Sequence, residues 1–161
     1  MEYKFPPQFK LEDLYISPFK YQRFFDPESG LTHYEPLERN LTPTGVNLLD
    51  TYLQIMCTSS AYSQLMVQAR FGVTSEQLCT LCLLLTGMTH DKLQLAISLR
   101  VADDLLRYTS LSMRDIGRRC GFASGVGLTR FIQRHYNCTP QERRKALRKK
   151  NDEGKFAISL S

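Results

Sequence analysis

Long apolar runs are missing from this 161-residue chain. None approaches 18 residues, which argues against a membrane-spanning helix. Residues 4–10 lack the hydrophobic centre of a signal peptide, so synthesis and residence in the cytoplasm are expected. Glycine and proline are scarce, at 9 and 7, which excludes a fibrous or low-complexity chain. The five cysteines are an odd count, so no secreted disulfide framework is expected and the thiols should be reduced. Histidine occurs only at His33, His90 and His135, positions that suit surface or helix-end residues better than a catalytic base. With no base and orienting acid to name, a hydrolase built on a Cys or Ser nucleophile is set aside and no enzyme is expected. Cys79 and Cys82 have the spacing of half a zinc site, but no second Cys or His pair follows at ligand distance. Their leucine-rich setting favours a core role, so neither metal nor cofactor is expected. Gly121, Gly125 and Gly127 lack the preceding strand and following Lys-Ser/Thr of a phosphate loop.

What remains is an ordinary globular composition, 42% hydrophobic and 23% charged, in a chain of one domain's length that can bury roughly 70% of its unfolded surface. The net charge of +5 is unevenly spread. Residues 1–106 hold 8 Lys and Arg against 12 Asp and Glu, whereas residues 107–150 hold 12 against only Asp115 and Glu142. Such an excess repels itself in a compact fold, so it points to a polyanionic partner such as nucleic acid or, more blandly, to a solvated basic face.

Composition divides the chain near residue 45. Residues 1–44 form an arm with most of the prolines and 9 of the 17 aromatics, Tyr3 and Phe5 among them. Those prolines forbid a long helix. Tyr21 to Phe25, the turn Asp26-Pro27-Glu28-Ser29-Gly30 and residues 31–34 fit a β-hairpin. From residue 45 to 150 apolar residues recur at helical spacing. Three helix starts carry capping chemistry, in Thr74 with Gln77, Ser112 with Asp115, and Thr139 with Glu142, and Pro140 takes the first helical position. The spacing predicts seven helices, near 46–57, 62–70, 75–86, 90–108, 112–120, 124–135 and 140–149. Residues 151–161 are expected to form a flexible tail without a role.

Residues 112–132 carry the informative pattern. In the first of two helices Met113, Ile116 and Cys120 share a face, and Gly117 beside Ile116 allows a second helix to come close. Gly121 permits a left-handed backbone and Phe122 plugs the corner, so the two helices should cross steeply through a tight turn, a helix-turn-helix. On the second helix Leu128, Phe131 and Ile132 fall within about 100° of arc and face inward. Val126, Thr129, Arg130, Gln133 and Arg134 face outward, with Ser124 at the start. Guanidiniums, an amide, a hydroxyl and a methyl-bearing side chain suit base edges and phosphates in a DNA major groove. Arg114, Arg118 and Arg119 on the preceding helix are placed for the sugar-phosphate backbone. An exposed helix with ordinary surface charge is the bland alternative.

The stretch Leu99-Arg100-Val101-Ala102-Asp103-Asp104-Leu105-Leu106, then Thr109-Ser110-Leu111-Ser112-Met113, Cys120-Gly121-Phe122, Arg130 and Thr139-Pro140 resembles the C-terminal DNA-binding domain of AraC/XylS-type transcription regulators. Without insertion or deletion, Gly72-Val73-Thr74 and Gly87-Met88-Thr89 resemble the first of that family's two helix-turn-helix units, so the likeness covers about residues 46–148. It implies an all-α, homeodomain-like fold in which two helix-turn-helix subdomains, joined by a long linker helix, enter adjacent major grooves of double-stranded DNA. A helix over 90–108 would be about 28 Å long at its usual rise, comparable with one turn of duplex.

The departures from the family lie in both units. In the second, Gly117, Gly125 and Gly127 would each cost up to about 1 kcal/mol within a helix, so a frayed start to the second recognition helix and modest sequence discrimination are expected. The others lie in the first unit. Gln68 stands where the pattern wants a small residue. With Leu78, Leu81, Cys82 and Leu85 inward, the outward face of 75–86 holds Glu76, Cys79, Thr80 and Leu83, and no Lys or Arg occurs from 71 to 91. Such a face cannot recruit phosphates, so it is expected to have lost most DNA contact and to pack on the arm or on a partner. An arm of about 45 residues also cannot enclose a small-molecule barrel, so no small-molecule effector is expected. The leading expectation is a DNA-binding regulator of transcription that recruits or blocks polymerase, with RNA polymerase or another protein as a further partner through the arm. The competing one is a protein-interaction module with a degenerate helix-turn-helix and weak DNA contact.

Overall fold

The computed structural model describes residues 8–58 and 63–160. The expected helix start at 62, the arm residues 1–7 with Tyr3 and Phe5, and the last residue of the tail lie outside them. In chain order the elements are α1 (Leu11–Leu14), β1 (Tyr21–Phe25), β2 (Thr32–Pro36), α2 (Asn47–Thr58), α3 (Ser63–Phe71), α4 (Ser75–Thr86), α5 (His90–Tyr108), α6 (Met113–Arg119), α7 (Gly125–Tyr136), α8 (Pro140–Leu147) and β3 (Phe156–Ala157). The expected caps are in place. Thr74 accepts from the Gln77 N–H while the Gln77 side chain accepts from the Thr74 N–H, and Thr139 and Glu142 exchange bonds in the same way. Ser112 accepts from the Asp115 N–H at 3.1 Å. Each cap satisfies donors that a helix start otherwise leaves unpaired.

The chain forms two compact units. The first joins residues 8–16 to Asn40–Leu99, and so contains α1 to α4 and the first half of α5. Its core includes Leu14, Leu49, Leu53, Met56, Leu78 and Leu93, all fully buried. Each such side chain contributes about 1.5–3 kcal/mol on leaving water. Chain entry is fixed by the N–H groups of Gln8 and Phe9, which both donate to the Leu85 carbonyl at the end of α4. His90 opens α5, at a helix end as expected, but it is buried rather than superficial. Its ring lies within hydrogen-bond distance of Gln64 Nε2 (2.8 Å), Ser75 Oγ (3.1 Å) and Asp91 Oδ1 (3.0 Å).

The second unit joins Ser17–Arg39 to residues 100–160. The arm is therefore not a domain of its own, because its chain is shared between the two units. The expected hairpin is present, with β1 and β2 antiparallel and Arg23 opposite Tyr34. The segment expected to be a loose tail is not one: β3 pairs with β1, Tyr21 opposite Ala157, giving the order β2-β1-β3. Aromatic packing and buried charge explain this. Phe156 lies 5.6 Å from the Phe19 ring and 4.8 Å from the Tyr108 ring. Arg107 Nε donates to the buried Asp152 carboxylate at 2.8 Å, and the Lys149 N–H donates to the same oxygen. Burial pushes the Asp152 carboxyl up, but those donors outweigh it and hold the group below the usual carboxylate range. The Arg23 guanidinium donates to the carbonyls of Asn151 and Glu153, and the Tyr34 hydroxyl to that of Gly154.

Candidate nucleic-acid interface

The α6–α7 pair is built on glycine. A Cβ on Gly117 would stand 3.0 Å from the Ser124 carbonyl oxygen, one on Gly125 3.4 Å from the Arg114 nitrogen, and one on Gly127 3.0 Å from Phe122 Cβ. Glycine in a helix costs up to about 1 kcal/mol relative to alanine, and here the cost is offset by close approach, to backbone at Gly117 and Gly125 and to the Phe122 side chain at Gly127. The frayed start expected of the second recognition helix is not seen, since α7 runs from Gly125. Gly121 turns the chain at φ +89°. Phe122 fills the corner against Phe131, with ring centroids 5.0 Å apart. Ile116, Cys120, Leu128 and Ile132 are buried beneath, and burial pushes the Cys120 thiol up to about 12.

The expected site residues fall as follows. Arg114, Arg118 and Arg119 on α6 are exposed, as are Ser124, Val126, Arg130, Gln133 and Arg134 on or beside α7. Thr129 is half-buried, and its hydroxyl donates to the Gly125 carbonyl at 2.9 Å. Val126, Arg130, Gln133 and Arg134 stand at intervals of three, four, seven and eight residues, so they form one stripe. Among the described residues none makes a hydrogen bond or ion pair with the side chain of Arg114, Arg118, Arg130 or Arg134. The Ser124 side chain, at the start of α7, makes no capping bond.

The basic block is only partly available. Arg144 on α8 donates to the carbonyls of Leu106 (3.1 Å) and Leu111 (2.7 Å). One turn later Arg148 donates to the carbonyls of Arg107 (3.0 Å), Leu106 (3.2 Å) and Thr109, and to Glu153 Oε2 (3.3 Å). These carbonyls end α5 and begin the α5–α6 link, where a helix leaves acceptors unpaired and its dipole favours cations. Burial, and then the neighbouring Arg148, pull Arg144 down from the ordinary arginine value. Arg143 grips Asp103 with Nε (3.0 Å) and a terminal nitrogen (2.8 Å), and its guanidinium lies 3.7 Å over the Tyr136 ring. The Tyr136 hydroxyl donates to the same carboxylate, and burial followed by Asp103 pushes it up to about 12. Arg107, Arg143, Arg144 and Arg148 are therefore structural. Charge counting missed this, although the i, i+4 spacing of Arg144 and Arg148 on a short helix after a longer one was visible. Lys145, Lys149 and Lys150 remain exposed.

The first unit presents a different face. On α4, Leu78 and Cys82 are buried, Glu76 and Thr80 exposed, and Cys79 half-buried. Burial and the nearby Cys79 push the Cys82 thiol up to about 12. Leu83 and Leu84 remain 46% and 55% exposed, an apolar surface with no cation beside it in sequence. Among the described residues no helix is long and apolar enough to cross a membrane.

Two helices crossing through a glycine turn, with a capped third helix behind them, define a helix-turn-helix domain. A family model of that description matches residues 67–146. The fold is similar to the crystal structure of a transcriptional regulator from Chromobacterium violaceum described among AraC-type DNA-binding domain-containing proteins. Identity is 30% and the TM-score 0.50, over 62% of this chain and 91% of that one. It is also similar in fold to the xylose-binding transcription activator xylR, at 23% identity and TM-score 0.50, over 62% of this chain and 26% of that one. A search of curated proteins finds no match. The chain belongs to the AraC-type helix-turn-helix family, a class of DNA-binding transcription regulators.

Proposed function

We propose that this chain regulates transcription by docking α7 in the major groove of double-stranded DNA. Arg130, Arg134, Gln133 and Val126 would read base edges, and Arg114, Arg118, Arg119 and the Ser124 hydroxyl would hold the backbone. The observation that carries the reading is the exposed stripe on α7, whose cationic side chains have no internal partner while α7 itself is held close to α6 at Gly117 and Gly125 and to the turn's Phe122 at Gly127. A rigid scaffold presenting uncommitted guanidiniums is what groove recognition requires. Thr129 contributes its methyl and an acceptor, since its proton is committed within the helix. No catalytic step is assigned to any residue.

The exposed Leu83 and Leu84 beside Cys79 favour a second reading for the first unit, contact with a protein such as RNA polymerase rather than with phosphate. Selection of bound sequences from a random DNA pool tests the proposal. Enrichment of a motif, with affinity falling about a thousandfold between 50 and 200 mM salt for roughly six phosphate contacts, is expected. No enrichment, with salt-insensitive binding, would leave the chain a protein-interaction module.

A further inference from the structure

Among the described residues the outer edge of β2 has no partner. The sheet order is β2-β1-β3, every residue of β2 is exposed, and Leu31, just before it, is 68% exposed. The direction of the free groups follows from the ladder. The Asp26 N–H donates to Leu31 and the Leu37 N–H to Lys20, which makes Asp26–Leu31 and Lys20–Leu37 hydrogen-bonded pairs. With the observed register, His33 and Glu35 then turn their backbone groups toward β1, and Thr32, Tyr34 and Pro36 turn theirs outward. No described residue bonds to the outward N–H of Thr32 or Tyr34. An open edge of this kind templates another strand unless its side chains forbid it.

We propose that the occupant is a second copy of this chain, its β2 pairing antiparallel with the first about a two-fold axis at Tyr34. The side chains choose that register. With the axis at Tyr34, His33 of one copy faces Glu35 of the other, and the exposed Leu31 faces the half-buried Leu37. Within one copy the His33 ring already lies 2.9 Å from Glu35, both about half exposed. Four groups would therefore alternate donor and carboxylate across the joint. Moving the axis to His33 sets imidazole against imidazole and Leu31 against Glu35, and moving it to Glu35 sets two carboxylates together, which is destabilising. In the chosen register each Tyr34 N–H reaches the other Tyr34 carbonyl and each Thr32 N–H the other Pro36 carbonyl. Pro36, which has no N–H to give, is used only as an acceptor. The result is a six-stranded sheet and an isologous dimer. The contact is small, so the association is weak and concentration-dependent. It stands independently of whether α7 reads DNA.

Sedimentation velocity on the full chain, from about 5 to about 500 μM, reads the association directly. The natural chain is expected to shift from monomer to dimer. Glu35→Lys places an ammonium opposite His33, and His33→Glu places two carboxylates opposite each other, so each variant alone should self-associate about tenfold more weakly. Mixed in equal amounts they should associate again, because His33→Glu then faces Glu35→Lys and the native His33 faces the native Glu35. Recovery in the mixture excludes misfolding as the cause of the loss. A natural chain that stays monomeric throughout overturns the proposal, as do variants that dimerise as well as it does or fail to recover on mixing. A monomer would mean that some other strand covers this edge or that the edge stays open.

Discussion

Replacing Arg148 by alanine separates structural from DNA-directed charge more sharply than any other single change. Its guanidinium supplies hydrogen bonds to the carbonyls of Leu106, Arg107 and Thr109, and it is mostly covered, with 24% of the side chain exposed. A charged hydrogen bond contributes about 1.5–3 kcal/mol, and an acceptor left buried without a partner costs about 1–3 kcal/mol. Arg144 still serves the Leu106 carbonyl, so two acceptors are orphaned rather than three. The expected loss is about 3 kcal/mol, which in a protein of this size lowers the melting temperature by roughly 10 °C. Urea denaturation followed by circular dichroism measures the first quantity and a thermal scan the second. The salt dependence of DNA binding by the folded variant should match the natural chain. Arg118→Ala is the counterpart, expected to change stability by under about 0.5 kcal/mol while reducing the slope of log affinity against log salt by about 0.9. If Arg148→Ala left stability untouched and flattened the salt slope as Arg118→Ala does, the division of the basic block between scaffold and DNA would be wrong.

Three further outcomes are expected. Arg130→Ala with Arg134→Ala should weaken DNA binding in gel shift by about 1–3 kcal/mol per arginine and relax the selected motif, while leaving the salt slope nearly as it is and the urea midpoint unaltered. Gly127→Ala gains up to about 1 kcal/mol of helix propensity but sets a methyl 3.0 Å from Phe122 Cβ, so net destabilisation by denaturant titration and weaker DNA binding are expected, whereas a net gain would show the α6–α7 crossing to be loose. Asp152 has a folded-state carboxyl lowered from its ordinary value, so its stabilising effect is present at neutral pH and lost as pH falls through the carboxylate range. Asp152→Asn should lower neutral-pH stability and flatten the acid limb of a stability–pH curve, and an unchanged acid limb would contradict the Arg107 pairing.

Helix positions were legible because their signals are local. Thr74, Ser112 and Thr139 mark starts by side-chain chemistry within four residues, and the Cys120-Gly121-Phe122 corner carries its own backbone requirement. The outward stripe on α7 followed from periodicity alone. The hidden part was long-range. Phe156 belongs to a two-residue strand whose partner lies near the other end of the chain, so neither periodicity nor length announces it. The dual use of the arginines was hidden too, because their partners are main-chain carbonyls and the Asp103 and Asp152 carboxylates, brought to them only by the fold. His90 was hidden for a related reason, since the polar groups that let it be buried come from α3 and α4.

The pairing of β1 with β3 sets an order of events during synthesis. Tyr21 leaves the ribosome well before its partner Ala157, which is translated 136 residues later. Until then the hairpin lacks one neighbour, and the Phe19 and Tyr108 rings lack Phe156. The first unit uses no residue beyond 99 and is free to mature while the ribosome is still working. Recombinant fusions at the carboxyl end would thus burden the unit that completes last.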